Sequence, residues 1–202
     1  MLSKLIGTLL DKLGARQQPA AEEHRVRGFR VVVENSRPDI ATADVLARLD
    51  EALALVERHQ PWRLRHLQRD LSEIRVARFP SRGAFFPGER VCLTELTFLA
   101  RRDITAAPVA ASMVHEGMHA RVHAMRARVF GVGDDPSQMP REERVCRRAE
   151  LDFGVALPPE LGAPVVERAL ATLAMDDADV APAVDWREAA RRVAEVDRLS
   201  TS

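Results

Sequence analysis

Cysteine is scarce in this sequence, and neither sign of charge is in excess. Only two cysteines, Cys92 and Cys146, occur among the 202 residues, which excludes a disulfide framework and favours a reducing compartment. The 30 basic residues balance 30 acidic ones, which argues against nucleic acid or an anionic membrane as the main partner. No apolar run is long enough to span a bilayer. We therefore expect a cytoplasmic protein without a transmembrane segment.

The first 23 residues differ in character from the rest. Leucines and isoleucine form an amphipathic stripe beside Lys4 and Lys12, and a polar stretch follows, which predicts an N-terminal helix and linker over residues 1–23. Asp11 and Lys12 interrupt the apolar region, so a secretory signal is not expected. The helix would dock on the domain or on a partner, or attach to a membrane surface. Residues 24–202 have the length of a single domain with its own core.

Hydrophobic periodicity predicts an α+β fold that is mainly helical and carries a small β-sheet. Alternating apolar residues predict strands over residues 24–34 (with a bulge at Gly28), 74–79, 84–86 and 91–96, the last two as a hairpin. Apolar residues at helical spacing predict helices over residues 39–59, 62–70, 105–131, 140–157, 163–175 and 185–199. The hairpin leaves an edge strand next to the helix over residues 105–131, where an extended peptide could pair with the sheet.

The sequence HExxH, formed by His115, Glu116 and His119, is the strongest chemical signal. On a helix, positions i and i+4 share one face, so the two imidazoles can bind one metal ion while Glu116 reaches a metal-bound water. Thr105 suits the N-cap of that helix and Gly131 its end. A predicted core-facing stripe comprises Val114, Met118, Val122, Met125 and Val129. The neighbouring polar stripe comprises Ser112, His115, His119 and His123.

A catalytic zinc site needs a third protein ligand. His123 lies roughly 12 Å along the helix from His115, which is too far for both to reach one ion. The pattern HExxHxxGxxH is not met. The following helix offers a carboxylate instead, and Glu143 would face the two histidines if the helices form a hairpin. Glu142 and Glu150 are the alternatives.

The segment from Val114 to Val122, followed by Glu143-x-x-Cys146-x-x-x-Glu150, resembles a family of small uncharacterised bacterial proteins described as zinc metallopeptidases. The pattern of HExxH followed by a helical glutamate is also similar to the gluzincin branch of zinc peptidases. The resemblance covers residues 72–158. It implies a zincin-like domain with an HExxH active-site helix, and hence a zinc-dependent hydrolase.

Specific roles follow from that resemblance. It implies that His115, His119 and Glu143 hold Zn²⁺, and that Glu116 is the general base for a zinc-activated water that hydrolyses peptide bonds. The substrate would be a peptide or a protein. A different class of function stays open from the residues themselves: a zinc-binding domain without catalysis that acts as a sensor or protein-interaction module. A metal-free helical domain with a fortuitous motif is the third interpretation.

Two positions beside the motif need separate interpretation. Arg147 stands where the better-known gluzincins often have Asp, so Glu150 or Asp152 would be the carboxylate that orients the histidines. Cys146 falls one turn after Glu143, where a thiolate would bind metal strongly and block the open position. We therefore interpret Cys146 as a small packing residue.

The sequence contains no tyrosine. Zinc peptidases need a second electrophile to stabilise the oxyanion of the tetrahedral intermediate, and this is often Tyr or His. The remaining candidates are Arg121, Arg147, His123 and His66, and the sequence does not distinguish among them.

Overall fold

The protein is α+β, mainly helical with a small sheet, as predicted. The computed structural model describes residues 20–131, 138–180 and 186–200. The strands are β1 (Glu22–Val26), β2 (Phe29–Glu34), β3 (Glu73–Ala77), β4 (Gly83–Phe86) and β5 (Val91–Glu95). The helices are α1 (Thr42–His59), α2 (Pro61–Asp70), α3 (Leu96–Ala100), α4 (Ala107–Phe130), α5 (Met139–Ala156), α6 (Pro159–Leu173), α7 (Asp177–Val180) and α8 (Trp186–Ser200). The predicted amphipathic helix near the N-terminus falls on residues outside the described ones.

The sheet has a parallel centre and antiparallel edges, in the order β1-β2-β3-β5-β4. Val31, Ile74 and Cys92 are aligned across the three parallel strands and belong to the main hydrophobic core. Val32 and Leu93 point to the opposite face and are also buried. Parallel strands are normally covered on both faces, and this burial follows that rule. Strand β4 pairs with β5 and forms one edge of the sheet.

The first predicted strand is in fact two strands joined by a tight turn. Val26 pairs with Phe29, so only Arg27 and Gly28 lie between β1 and β2. Both turn residues have positive φ, 44° and 84°, as a two-residue hairpin turn of type I′ requires. The prediction of one bulged strand over residues 24–34 was therefore wrong. Gly28 signalled a reversal of the chain, and β1 already begins at Glu22.

Helix α4 carries the HExxH sequence and follows its predicted bounds closely. The N-cap is Ala106, without a side-chain capping bond, so the prediction of Thr105 as N-cap was one residue off. The Thr105 hydroxyl still accepts a hydrogen bond from the backbone N–H of Ala107 at 3.3 Å, and Gly131 ends the helix with φ of 77°. The predicted apolar stripe was wrong in its second half, because Met125 and Val129 are 51% and 68% exposed. The prediction assumed that one face of the helix is buried along its whole length, whereas the hydrophobic core surrounds only the first half of the helix. Its buried apolar residues include Val109, Ala110, Ala111, Met113, Val114 and Ala120.

None of the helices within the described ranges combines the length and the apolar character that crossing a bilayer demands.

Candidate metal centre

Helices α4 and α5 pack against each other and bring three donor groups together. His115 Nε2 and His119 Nε2 lie 3.1 Å apart. The carboxylate of Glu143 lies 3.3 Å from His115 Nε2 and 3.2 Å from His119 Nε2. These are the two histidines and the glutamate predicted as ligands. They form a triangle of three groups, in which the Glu143 carboxylate presents Oε2 to His115 and Oε1 to His119.

The distances from nitrogen to nitrogen and from each nitrogen to its nearer Glu143 oxygen are close to those between donors around a tetrahedral zinc ion. Zinc binds nitrogen and oxygen donors at about 2.0–2.2 Å, which places neighbouring donors about 3.3 Å apart. Two imidazole nitrogens facing each other and a carboxylate at this distance would repel unless protons or a cation lie between them. The residues present therefore fit a zinc ion held by His115, His119 and Glu143.

Two further carboxylates face the outer nitrogens of the histidines. Glu142 Oε1 lies 2.7 Å from His119 Nδ1, and its other oxygen accepts a hydrogen bond from Arg126 at 2.5 Å. Glu150 Oε1 lies 2.9 Å from His115 Nδ1, at ion-pair distance though without hydrogen-bond alignment. A carboxylate on the outer nitrogen orients the ring and leaves Nε2 as the metal-binding atom.

The electrostatics of the triangle suit a cation. Burial alone would lower the pKa of His115, but the carboxylates of Glu143 and Glu150 outweigh it and raise that pKa. Burial would also lower the pKa of His119, but hydrogen bonds with Cys146, Glu142 and Glu143 raise it well above its ordinary value. Burial would raise the pKa of Glu143, but both histidines hold it below its usual range. The centre therefore stabilises positive charge at the point where a metal would bind.

Glu116 is buried beside the triangle, against the start of strand β4. It is 8% exposed, and burial raises the pKa of its carboxyl in opposition to His115 and His119. A Cβ placed on Gly83 would lie 3.0 Å from Glu116 Oε1 and 3.1 Å from Ser112 Oγ. Strand β4 therefore passes directly over the carboxylate, as close as a residue without a side chain allows.

Cys146 lies closer to the centre than its interpretation as a packing residue suggested. It is fully buried, and its sulfur and one ring nitrogen from each of His115 and His119 lie within 4.8 Å of one another. Burial raises the pKa of its thiol to about 11 although His119 acts to lower it. Cys146 thus joins Glu143 and Glu150 in facing the histidines, and it offers a second candidate for the third protein ligand.

The predicted oxyanion candidates are dispersed. Arg121 and His66 line a small cavity between α2 and α4, on a different face of α4 from the histidines. His123 packs edge-on against Phe85 of β4, with 6.1 Å between ring centroids. Arg147 alone lies at the centre, where it donates a hydrogen bond to Glu150 at 2.6 Å.

Two carboxylates have roles that differ from those predicted from the sequence. Glu142 was considered only as an alternative ligand, yet it holds the outer nitrogen of His119. Asp152 was considered as an orienting carboxylate, yet it is exposed and lies 3.7 Å from Arg63. The adjacent pair Glu142-Glu143 was the signal available in the sequence, because neighbouring positions on a helix diverge by about 100° and can serve different rings.

Comparison of the chain with protein-family models, with curated proteins and with solved structures gave no significant match.

Proposed function

We propose that the protein is a zinc-dependent hydrolase that acts on peptide bonds. The observation that carries this proposal is the convergence of His115, His119 and Glu143: the two Nε2 atoms lie 3.1 Å apart, and one oxygen of Glu143 lies 3.3 Å from the first and the other 3.2 Å from the second. Glu116, one residue after the first histidine, is buried beside it. Zinc, when bound, supplies a Lewis acid that polarises a carbonyl and acidifies water. The resemblance of the HExxH and Glu143 segments to zinc metallopeptidases supports the same function.

Glu116 would move the proton in this reaction. Its carboxylate would accept a proton from the attacking water and pass it to the leaving amine. Burial raises its pKa, which makes it a stronger base than an exposed glutamate. Arg147, whose positive charge also acts on Glu116, would stabilise developing negative charge.

Strand β4 would hold the substrate. It is an edge strand, and Gly83 at its start contacts the region of Glu116. An extended peptide can add to such an edge through backbone hydrogen bonds. The backbone of β4 would then align the scissile bond with the buried carboxylate.

Cleavage of a mixed peptide library tests the proposal. We expect zinc-loaded protein to generate new peptide N-termini, detected by mass spectrometry. Chelator treatment should abolish them, and zinc should restore them after the chelator is removed. Fully zinc-loaded protein that cleaves no peptide would contradict the proposal, and uncleaved peptides in a sample without protein serve as the background.

Substitution of Gly83 tests the contact between β4 and the general base. In Gly83→Ala the new methyl group would sit 3.0 Å from Glu116 Oε1 and displace that carboxylate. Because small misplacements of catalytic groups are costly, we expect kcat to fall by about 10-fold or more. Zinc content should not change, since the atoms nearest to the new methyl group belong to Glu116 and Ser112 and not to the three donors.

Gly88→Ala is the matched control for that substitution. Gly88 belongs to the turn of the same hairpin, and a Cβ there meets nothing within 4 Å. We expect its kcat to equal that of the wild type. Equal rates in both variants would show that β4 does not constrain Glu116.

Cys146 favours one alternative function. If its thiolate completed a four-ligand site with His115, His119 and Glu143, no position would remain for water. Such a protein would bind zinc tightly and act as a zinc-dependent sensor or interaction module. Tight zinc binding without cleavage of any peptide in the library would identify this alternative.

A further inference from the structure

Ser112 is a buried serine on the same face of α4 as Glu116. It lies one helical turn earlier, and residues four apart on a helix stand one above the other. Because the Cα–Cβ bonds of a helix tilt towards its N-terminus, the side chain of Glu116 extends back over the turn that contains Ser112. Only 7% of Ser112 and 8% of Glu116 are exposed. The helix therefore brings a hydroxyl and a carboxylate together, and the fold removes both from water.

Strand β4 covers the space that these two side chains share. A Cβ on Gly83 would lie 3.0 Å from Glu116 Oε1 and 3.1 Å from Ser112 Oγ, so both oxygens are close to one point. Gly83 pairs with Thr94 of β5, and the sheet thereby fixes the backbone at this point. The hydroxyl and the carboxylate border the same space under Gly83.

The hydroxyl of Ser112 and the carboxylate of Glu116 both have unused hydrogen-bonding capacity. In the part of the chain that the structure describes, neither group has a hydrogen-bond partner. A serine inside a helix commonly donates to the carbonyl one turn earlier, and buried polar groups are normally hydrogen-bonded. A hydroxyl can donate one hydrogen bond and an ionised carboxylate only accepts them. The two groups are therefore complementary.

We propose that Ser112 is a positioning residue that donates a hydrogen bond to the carboxylate of Glu116 in the metal-loaded protein. Rotation about χ1 of the serine and about the side-chain torsions of the glutamate can bring the two oxygens to hydrogen-bond distance. The bond would hold one carboxylate oxygen near Gly83 and leave the other to accept the proton of the attacking water. The inference rests on the proposed function, since it takes Glu116 to be the general base.

Ser112→Ala is expected to lower kcat and to leave KM unchanged. Alanine is the better helix former, so the variant should fold and hold as much zinc as the wild type. From the usual contribution of a hydrogen bond to a charged group, we expect kcat to fall about 10-fold. The measurement is the initial rate on the best peptide from the library over a range of concentrations.

Thr172→Ala is the matched control for Ser112→Ala. It also removes a hydroxyl from a helix, but this hydroxyl already donates to the carbonyl of Arg168 within α6, at 2.9 Å. Its kcat, its KM and its zinc content should equal those of the wild type.

A double-mutant cycle with Glu116→Gln distinguishes positioning from other roles of the serine. No carboxylate remains to be positioned in that variant, so adding Ser112→Ala should change the residual rate by less than about twofold. A full rate in Ser112→Ala alone, a raised KM with unchanged kcat, a loss of zinc, or the same loss of rate in both backgrounds would overturn the proposal.

A crystal structure of the zinc-loaded wild type tests the hydrogen bond without requiring turnover. We expect Ser112 Oγ to lie about 2.5–3.0 Å from an oxygen of Glu116, and a separation above about 3.5 Å would overturn the proposal. Failure of the proposed function would appear separately, as zinc-loaded wild type that cleaves no peptide. The same crystal structure would then still decide whether Ser112 bonds to Glu116.

Discussion

Glu143→Ala is expected to lose its metal. Glu143 would supply the third donor from a carboxylate whose two oxygens lie 3.3 Å from His115 Nε2 and 3.2 Å from His119 Nε2. Its removal leaves only the two imidazoles to bind the metal. Replacing a residue that only orients a ligand already costs about 10–100-fold in metal affinity, so loss of a ligand should cost at least about 100-fold. Elemental analysis of protein purified without added metal should fall from one zinc per chain to a small fraction.

Cys146→Ser is the informative comparison for Glu143→Ala. If Glu143 is the third ligand, the serine variant should keep its zinc, and the cobalt-loaded wild type should show no thiolate charge-transfer absorption. Glu143→Gln repeats the test with a side chain of the same shape, which separates loss of a ligand from misfolding. Zinc lost from Cys146→Ser but retained in Glu143→Ala would transfer the role of third ligand to the cysteine.

Glu116→Gln is expected to bind zinc and to lose turnover. The amide has the same shape as the carboxylate, so the buried position beside Gly83 should accept it, but it cannot accept the proton of the attacking water. General acid–base groups typically contribute 10²–10⁴-fold, and we expect kcat to fall within that range. The measurement is the initial rate on the best peptide from the library, with zinc content determined on the same samples.

The exposed Glu160 on α6 provides the control for that substitution. Glu160→Gln makes the same chemical change away from the centre, so its kcat and its zinc content should match the wild type. If Glu116→Gln were to keep its full rate, Glu116 could not be the general base, and a different group would have to accept the proton.

Local signals in the sequence were sufficient to locate most of the elements. The helix over residues 105–131 agrees closely with α4, because a proline in the first turn and a terminal glycine mark its ends. Those signals act over a few residues and do not depend on the rest of the fold. The spacing of HExxH and Glu143 likewise follows from helix geometry, once two helices are assumed to pack as a hairpin.

Features that depend on contacts between residues far apart in the sequence could not be predicted from these local signals. The exposure of Met125 and Val129 depends on how far the core extends along α4, which no local pattern records. Glu142 and Glu143 are adjacent in sequence, and only the packed helices show which histidine nitrogen each one faces.

The candidate metal ligands all lie on α4 and α5, and this placement affects the stability of the folded protein. A metal bound between His119 and Glu143 would tie the two helices together across the intervening chain. Because a ligand that binds only the folded state stabilises it by mass action, each tenfold rise in free metal above Kd adds about 1.4 kcal/mol. The folded population would then follow zinc supply. Cells short of zinc would contain less of this protein, and not merely an inactive form of it.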